Sequence, residues 1–135
     1  MTLLEQIERH EGRRRFPYRD TVGKLTIGCG RNLTDKGLSD DEIDYLLMND
    51  LRECREDLAT FPWFDDLDVV RRNVLIDMRL NLGPSGFRKF KGTLAAVATG
   101  DYVKASEQMA KSLWAKQVKT RAHRLVRMMA TGEAA

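Results

Sequence analysis

The spacing of hydrophobic residues at the start of the chain is helical. In LLEQIERHE, Leu3, Leu4 and Ile7 recur at three- and four-residue intervals, and Gly12 follows directly. This pattern predicts a short helix over residues 3–11 that turns the three apolar side chains inward and ends at the glycine.

The spacing then changes to a period of two in LTIGCG, residues 25–30. Alternation places successive side chains on opposite faces of a strand. One face carries a threonine and two glycines, and such a nearly bare face suits a backbone that another group approaches closely. With residues 16–19 as partner and TVGK as turn, the pattern predicts a small antiparallel hairpin. The two faces hold Leu25, Ile27 and Cys29, and Thr26, Gly28 and Gly30.

Helical spacing returns at Ser39, which forms with Glu42 the S-x-x-E sequence of a capping box. The apolar positions predict a helix of about 19 residues, or about 28 Å, which is long enough to join two lobes. A second long apolar helix is predicted from about residue 67 to 82, closed by Gly83 and Pro84. Shorter helices are predicted near residues 87–90, 93–98, 102–112 and 121–131.

The predicted fold class is therefore α+β, mainly α, in a single domain of 135 residues. A small N-terminal β-hairpin lobe covers about residues 13–38, and the joining helix covers about 39–60. A C-terminal helical lobe covers about 61–135, and the N-terminal helix 3–11 is assigned to it.

Composition narrows the class of protein. A hydrophobic fraction of 42% and a charged fraction of 32% are typical of a soluble globular chain. No apolar run approaches about 18 residues, and the acidic N-terminus differs from a secretory signal, so we expect the cytoplasm of the producing cell. Cys29 and Cys54 are then expected to be reduced. With two histidines and no Cys-x-x-Cys, no metal and no cofactor is expected.

Charge is distributed unevenly along the chain. Residues 35–68 carry 12 acids against 3 bases, whereas residues 88–128 carry 10 bases against 2 acids. Two solvated helical faces of opposite sign explain this distribution, and so does a basic lobe that binds a polyanion such as nucleic acid or an acidic wall polymer.

The segment HEGRRRFPYRD, residues 10–20, contains the candidate chemistry. Glu11 occupies the last turn of the predicted helix, where the partial negative charge of the carbonyl end disfavours an ionised carboxylate. Asp20 ends the first predicted strand, and Thr26 lies on the bare face of the second. Two carboxylates in different surroundings suit glycoside hydrolysis, although this spacing alone is weak evidence.

A longer pattern makes the chemistry more specific. Glu11-Gly12 and the string Y-R-D-T-x-G-x-x-T-I-G-x-G at residues 18–30 resemble the T-even phage lysozyme family. FDDLDVVRRNVLIDMRLNLG, residues 64–83, is similar to the family's central hydrophobic helix. AKSLW at residues 110–114 and Arg121-Ala122 resemble its C-terminal part, so the resemblance covers the whole chain in the right order.

The resemblance implies a lysozyme-like two-lobe fold and a role for each matched residue. Glu11 would be the general acid that protonates the glycosidic oxygen. Asp20 would polarise the attacking water or stabilise the oxocarbenium-like sugar, and Thr26 would help to hold the water. The family inverts configuration, which requires roughly 6.5–9.5 Å between the two carboxyl groups.

Further residues are carried over from the resemblance. Arg121 matches the family arginine that pairs with the catalytic glutamate, and Arg31 and Asp50 match an ion pair whose base is histidine in the best-known member. Arg124 matches a second arginine, whose family partner is an acid where this chain has His10. Ordinary packing or capping roles compete at Leu80 and Thr93, and Trp114 is interpreted as a core residue. The positions matching the sugar-binding cleft are Gly30, Asn32, Leu80, Thr93 and Gln108.

One difference from the family is large. Only four residues separate Thr34 from Ser39, whereas the best-known member has about twenty more. The small lobe is therefore predicted to consist of the hairpin and one further strand, and contacts from the missing segment are not carried over.

The resulting interpretation is an endolysin or muramidase that hydrolyses the bond between N-acetylmuramic acid and N-acetylglucosamine in bacterial peptidoglycan. The expected partner is peptidoglycan, with no nucleic acid and no stable membrane association. The protein is expected to be a monomer in the host bacterial cytoplasm that reaches the wall after a separate protein permeabilises the membrane. A lytic transglycosylase on the same substrate and a basic nucleic-acid-binding helical protein remain as alternatives.

Overall fold

The computed structural model describes residues 1–134, and the chain divides into two compact units, Met1–Leu46 and Leu47–Ala135. The N-terminal helix belongs to the first unit. The lobe boundaries derived from the sequence stay a prediction. Across the described residues, no helix combines the length and the hydropathy needed to cross a membrane.

Helix α1, Leu3–Glu11, begins at a full capping box between Thr2 and Glu5 and ends at Gly12, whose φ is 78°. Both ends agree with the helix predicted from the sequence. The apolar side chains expected to point inward, among them Leu3 and Leu4, are instead exposed. Thr26 is the single fully buried residue of this unit, so the unit has no core of its own in which to bury them.

A three-stranded antiparallel sheet with the order β1-β2-β3 completes the first unit, formed by Arg14–Arg19, Leu25–Gly28 and Arg31–Asn32. Tyr18 pairs with Thr26, and Thr26 pairs in turn with Asn32. The prediction of a hairpin with one further strand is confirmed. Strand β2 ends at Gly28, so Gly30 lies in the following turn with φ at 81° and does not continue the bare strand face.

Helix α2, Asp40–Leu58, is continuous, and the division between the units falls within it. The capping box predicted at its start is confirmed. The backbone N–H of Ser39 donates to Glu42 Oε1 at 2.9 Å, and the backbone N–H of Glu42 donates to Ser39 Oγ at 3.3 Å. Two orphan donors of the first turn are therefore satisfied.

The second unit is helical. A 3₁₀ turn, Phe64–Asp66, precedes α3, Val69–Arg88, in which Gly83 breaks the helical backbone at φ 78° immediately before Pro84. The predicted stop at this pair is confirmed, and a further helical stretch follows it to Arg88. The remaining helices are α4 (Lys91–Ala98), α5 (Tyr102–Ala110), α6 (Leu113–Val118) and α7 (Thr120–Thr131). Of these, α6 was not predicted as a separate helix.

The core of the second unit is built around α3. Val74, Leu75 and Met78 are completely buried, and Phe87 continues the cluster beyond the break at Gly83. Trp114 is 5% exposed, and its Nε1–H donates to Asn81 Oδ1 at 2.8 Å. Its interpretation as a core residue is confirmed. The cluster also contains Cys54, Leu58, Phe64, Leu67, Ile76, Ala96, Val97, Ala105, Met109, Ala122, Leu125 and Met129.

A charged network lies against this core. Arg79 is buried, and its Nε–H donates to Asp57 Oδ2 at 2.6 Å, while Arg88 donates to Oδ1 at 2.6 Å. Hydrogen bonds from Arg88, and then from Arg79, lower the pKa of Asp57 to about 2 despite its partial burial. The network joins α2 to both parts of α3.

Candidate functional site

Glu11 is the last residue of α1, as predicted, and its carboxylate lies against Gly30. A Cβ added at residue 30 would stand 3.0 Å from Glu11 Oε2 and 3.1 Å from its carboxyl carbon. Gly30 also has φ at 81°, a conformation that other residues rarely adopt. Glycine at this position therefore leaves the space that the carboxylate occupies.

Asp20 orders the turn between β1 and β2. Its Oδ1 accepts hydrogen bonds from the backbone N–H groups of Val22 at 3.0 Å and Lys24 at 2.8 Å. These bonds fix the side chain at the end of β1, and they occupy one of its two carboxylate oxygens. The same residue is therefore a turn former and a candidate catalytic acid.

Thr26 is 4% exposed, and its hydroxyl donates to the carbonyl oxygen of Lys24 at 3.0 Å. With its proton used in this way, Oγ1 remains available as an acceptor. Lys24 thus binds both candidate residues, because its N–H donates to Asp20 and its carbonyl accepts from Thr26. This function of the Lys24 backbone depends on the register of the hairpin, so the sequence pattern did not indicate it.

All three predicted catalytic residues belong to the first unit. The structure brings Glu11 to Gly30, and it brings Asp20 and Thr26 to the Lys24 peptide group. Glu11 ends helix α1, Asp20 follows strand β1 and Thr26 lies within β2, which are the local positions that the sequence predicted. Their catalytic roles stay a prediction.

Arg31 has a partner that the sequence did not indicate. Its guanidinium donates to Glu42 Oε1 at 2.6 Å and to the carbonyl of Gly37 at 3.3 Å. The hydrogen bond from Arg31, together with those from Ser39, lowers the pKa of Glu42 to about 2, and Glu42 raises that of Arg31. The capping box places Glu42 in the first turn of α2, where its carboxylate accepts from both Ser39 and Arg31. Asp50, the predicted partner, belongs to the second unit, and its pairing with Arg31 stays a prediction.

Asn32, a predicted sugar contact, takes part in a local turn. Its Oδ1 accepts from the N–H of Asp35 at 2.9 Å, and its Nδ2 donates to the Asp35 carboxylate at 3.0 Å. Lys24 lies 3.2 Å from the same carboxylate, and hydrogen bonds from Lys24 and then Asn32 lower the pKa of Asp35. Asn32 therefore stabilises the loop after β3, and sugar binding there stays a prediction.

Two other predicted sugar contacts line one cavity of the second unit. Thr93 is buried, Gln108 is half-buried, and both face a space of about 410 Å³ whose apolar wall includes Phe90 and Trp114. A Cβ at Gly92 would stand 2.9 Å from Gln108 Oε1, so the absence of a side chain at residue 92 leaves room for the Gln108 side-chain amide. Gly92 was not among the residues predicted from the sequence, although its position directly before Thr93 offered a signal.

Leu80 is half-buried and packs against the hydrophobic core, which is the packing role considered for it.

Arg121 has a partner that the sequence did not indicate. Its Nε–H donates to Asp77 Oδ1 at 2.8 Å, and its second nitrogen donates to the same oxygen. Both residues belong to the second unit, whereas Glu11 belongs to the first. The pairing of Arg121 with Glu11 stays a prediction.

Comparisons with known proteins agree with the motifs. Residues 8–130 match the profile of the phage lysozyme family. The chain is 27% identical to the pre-baseplate central spike protein Gp5 of Enterobacteria phage T4, with 98% of the chain and 28% of Gp5 covered. It therefore spans little more than a quarter of that protein's length.

Two further relatives match along nearly their whole length. Probable T4-type lysozymes 1 and 2 of Dictyostelium discoideum are 21% and 24% identical to the chain. Each alignment covers 97% of the chain and 95% of the relative. Because the family profile covers most of the chain and the helical fold with a small N-terminal sheet agrees with it, this protein belongs to the phage lysozyme family.

Proposed function

We propose that the protein is a lysozyme that hydrolyses the glycosidic bond between N-acetylmuramic acid and N-acetylglucosamine in peptidoglycan. Family membership and the two T4-type lysozyme relatives support this activity. The observation that carries the catalytic part is the placement of Glu11, whose carboxylate lies at the end of α1 against a glycine that makes room for it.

In this proposal Glu11 is the general acid. As the glycosidic bond breaks, the leaving oxygen gains negative charge, and a proton from the Glu11 carboxyl neutralises it. The exposed position of Glu11 allows a polymer to reach it.

Asp20 and Thr26 are proposed to hold the attacking water. The free oxygen of Asp20 and Thr26 Oγ1 each accept a hydrogen bond from the water, and Asp20 takes up the one proton that the water loses as its oxygen bonds to the anomeric carbon. The water's own lone pair is then free to attack the anomeric carbon. Attack from the face opposite the leaving group inverts the configuration, and the products carry a reducing end.

The cavity around Thr93 and Gln108 is proposed to bind the glycan strand. Its apolar wall, which includes Phe90 and Trp114, suits the C–H faces of a sugar, and its amide and hydroxyl suit sugar hydroxyls and acetamido groups. The 10 bases within residues 88–128 favour an anionic wall polymer over a neutral one.

The test is lysis of outer-membrane-permeabilised Gram-negative cells by the Glu11→Gln variant. General acid catalysis contributes about 10²–10⁴-fold, so the variant should lose at least about 100-fold in the initial rate of turbidity loss. Glutamine is nearly isosteric, so the helix end and its contact with Gly30 are retained. Circular dichroism and the melting temperature should match those of the wild type.

Glu8→Gln provides the matched control. Glu8 lies one turn earlier on α1, where it pairs with Arg13 in an exposed ion pair, and its loss should leave lysis unchanged. A folded Glu11→Gln variant with near wild-type lysis would refute the general-acid assignment. Mass spectrometry of the products identifies the reaction, because anhydromuramic ends in place of reducing ends would indicate a transglycosylase.

A further inference from the structure

The N-terminus of α4 faces the cavity around Thr93 and Gln108. The helix begins at Lys91, and the residue before it, Phe90, makes no capping hydrogen bond with its side chain. The backbone N–H groups of residues 91–93 precede the first bond of the helix, which Leu94 donates to the carbonyl of Phe90. In the described part of the chain they find no other acceptor, and all three residues line the cavity.

The starts of two other helices show which group satisfies such donors in this chain. Asp68 accepts from the N–H of Arg71 at 3.0 Å at the start of α3, and Asp101 accepts from the N–H of Lys104 at 3.1 Å at the start of α5. Both acceptors are carboxylates, which the partial positive charge of a helix N-terminus favours. Thr93 has the corresponding position in α4, where the chain supplies no carboxylate.

The side chain of Thr93 is a second, independent indication of a ligand. Thr93 is 2% exposed, and its hydroxyl makes no hydrogen bond with the described residues. The hydroxyl is nevertheless not sealed inside the protein, since the sole sealed and unpaired side-chain nitrogen or oxygen of the described residues is Arg72 Nε. The Thr93 hydroxyl is therefore a donor that a group in the cavity can reach.

The charges around the cavity restrict the ligand to an anion. Lys89 and Lys91 line it, and its described lining contains no aspartate and no glutamate. No ion pair of the described residues uses either lysine. A carboxylate in this position would accept charge-assisted hydrogen bonds from the ammonium groups and further bonds from the N-terminus of α4.

We propose that this cavity recognises the carboxylate of an acidic glycan residue, N-acetylmuramic acid, and that Lys89 and Lys91 select it over a neutral sugar. The choice of this sugar rests on the lysozyme function proposed above. The sugar ring lies on the wall of Phe90 and Trp114, whose rings meet edge to face with their centres 5.9 Å apart. The lactyl arm then directs a carboxylate, its own or that of the peptide it carries, to Thr93 and the two lysines.

The test uses full-length ¹⁵N-labelled protein carrying Glu11→Gln, so that hydrolysis does not consume the ligand. Three tetrasaccharides of alternating N-acetylglucosamine and N-acetylmuramic acid are titrated in. Their lactyl arms end in a free carboxylate, in a neutral primary amide, or in an L-alanyl-D-glutamate dipeptide. Binding is followed at the amide shifts of Gly92 and Thr93.

A carboxylate form should bind at least about 10-fold more tightly than the amide form, because the two differ in charge at the same place. A preference already present with the free lactyl arm identifies that carboxylate as the ligand, and a preference that needs the dipeptide identifies the carboxylates of the peptide. The preference should shrink between about 50 mM and about 500 mM NaCl, since salt screens the lysines, while binding of the amide form should not.

Two double variants test the lysines. Lys89→Gln with Lys91→Gln should reduce the preference for the carboxylate by at least about 5-fold and leave the affinity for the amide form within about 2-fold. Lys104→Gln with Lys116→Gln removes the same charge from exposed lysines outside the cavity, and it should leave the preference within about 2-fold. Both doubles should keep the circular dichroism spectrum and melting temperature of the parent.

Equal affinities for all three tetrasaccharides, or a preference that the Lys89 and Lys91 double variant retains in full, would overturn the proposal. Inorganic phosphate is titrated in parallel, and binding at Gly92 and Thr93 as tight as that of the carboxylate glycan would show an anion site that does not select a sugar. Lysis by the wild-type chain is measured separately. An inactive wild type would reject the proposed function, whereas an active wild type without a preference for the carboxylate would reject the present proposal alone.

Discussion

At the scale of single residues, Gly30 has two structural roles in the first unit. Its φ of 81° turns the chain between β2 and β3, and its lack of a Cβ leaves room for the Glu11 carboxylate. The family resemblance implies sugar binding at Gly30. The structure adds a positioning role, since any larger residue would displace the proposed general acid.

Gly30→Ala is therefore expected to lose activity beyond its loss of stability. A left-handed alanine costs roughly 1–2 kcal/mol, and the Cβ at 3.0 Å must also push Glu11 Oε2 away. We expect lysis to fall by at least about 10-fold, because small displacements of catalytic groups are costly. Initial lysis rates are measured well below the melting temperature.

Gly37→Ala is the matched control for this prediction. Gly37 has φ at 63° in the same unit, but a Cβ there would have no neighbour within 4 Å. The two variants should lose similar stability in urea melts, and only Gly30→Ala should lose activity. Equal activities in the two variants would show that Glu11 does not depend on the space at Gly30.

At the scale of elements, Arg71 connects the start of α3 with the end of α7. Its Nε–H donates to the carbonyl of Met129 at 2.8 Å, a second nitrogen donates to that of Ala130 at 3.2 Å, and the guanidinium stacks 3.8 Å from the centre of the Tyr102 ring. These bonds satisfy carbonyls that the last turn of a helix leaves unpaired.

Arg71→Lys should reduce the free energy of unfolding by about 1–2 kcal/mol, because an ammonium group cannot reproduce the two-carbonyl fork or the planar stacking. Urea denaturation followed by circular dichroism measures the change. Arg127→Lys, at an exposed position of α7, should change stability by less than about 0.5 kcal/mol. A loss as large in the control as in Arg71→Lys would refute a specific role for Arg71.

At the scale of the whole molecule, the Asp57 network makes stability depend on pH. Arg88 and Arg79 lower the pKa of Asp57 to about 2, below its value of roughly 3.9 in an unfolded chain. A carboxyl with a depressed pKa contributes stability that is fully present above the unfolded value. The contribution is lost as the pH falls through the folded value.

Asp57→Asn should therefore destabilise the protein by about 2 kcal/mol at pH 7, since it leaves Arg79 buried without its counter-charge. The difference in melting temperature from the wild type should be constant between pH 7 and 5 and should shrink between about pH 4 and 2. Asp44→Asn, at an exposed position of α2, should show no such trend. A difference for Asp57→Asn that persists undiminished at pH 2 would contradict the pairing.

The amino-acid sequence by itself determined the local features of this protein. The end of α1 at Gly12, the hairpin across TVGK, the capping box of α2 and the stop at Gly83 were all predictable. Each depends on backbone preferences and hydrogen bonds between residues a few positions apart, so a short stretch of sequence contains the necessary information. The position of Glu11 at a helix end followed from the same rules.

Only the tertiary structure decided which distant groups meet. Arg31 pairs with Glu42, and Arg121 pairs with Asp77, 44 residues away. The cavity around Thr93 and Gln108 also combines residues of α4, α5 and α6. Such contacts depend on how helices pack and on which of several carboxylates lies within a few ångströms of a flexible arginine. The spacing of residues along the chain specifies neither the packing of the helices nor the carboxylate that an arginine reaches. Packing brings residues together irrespective of their separation in the sequence.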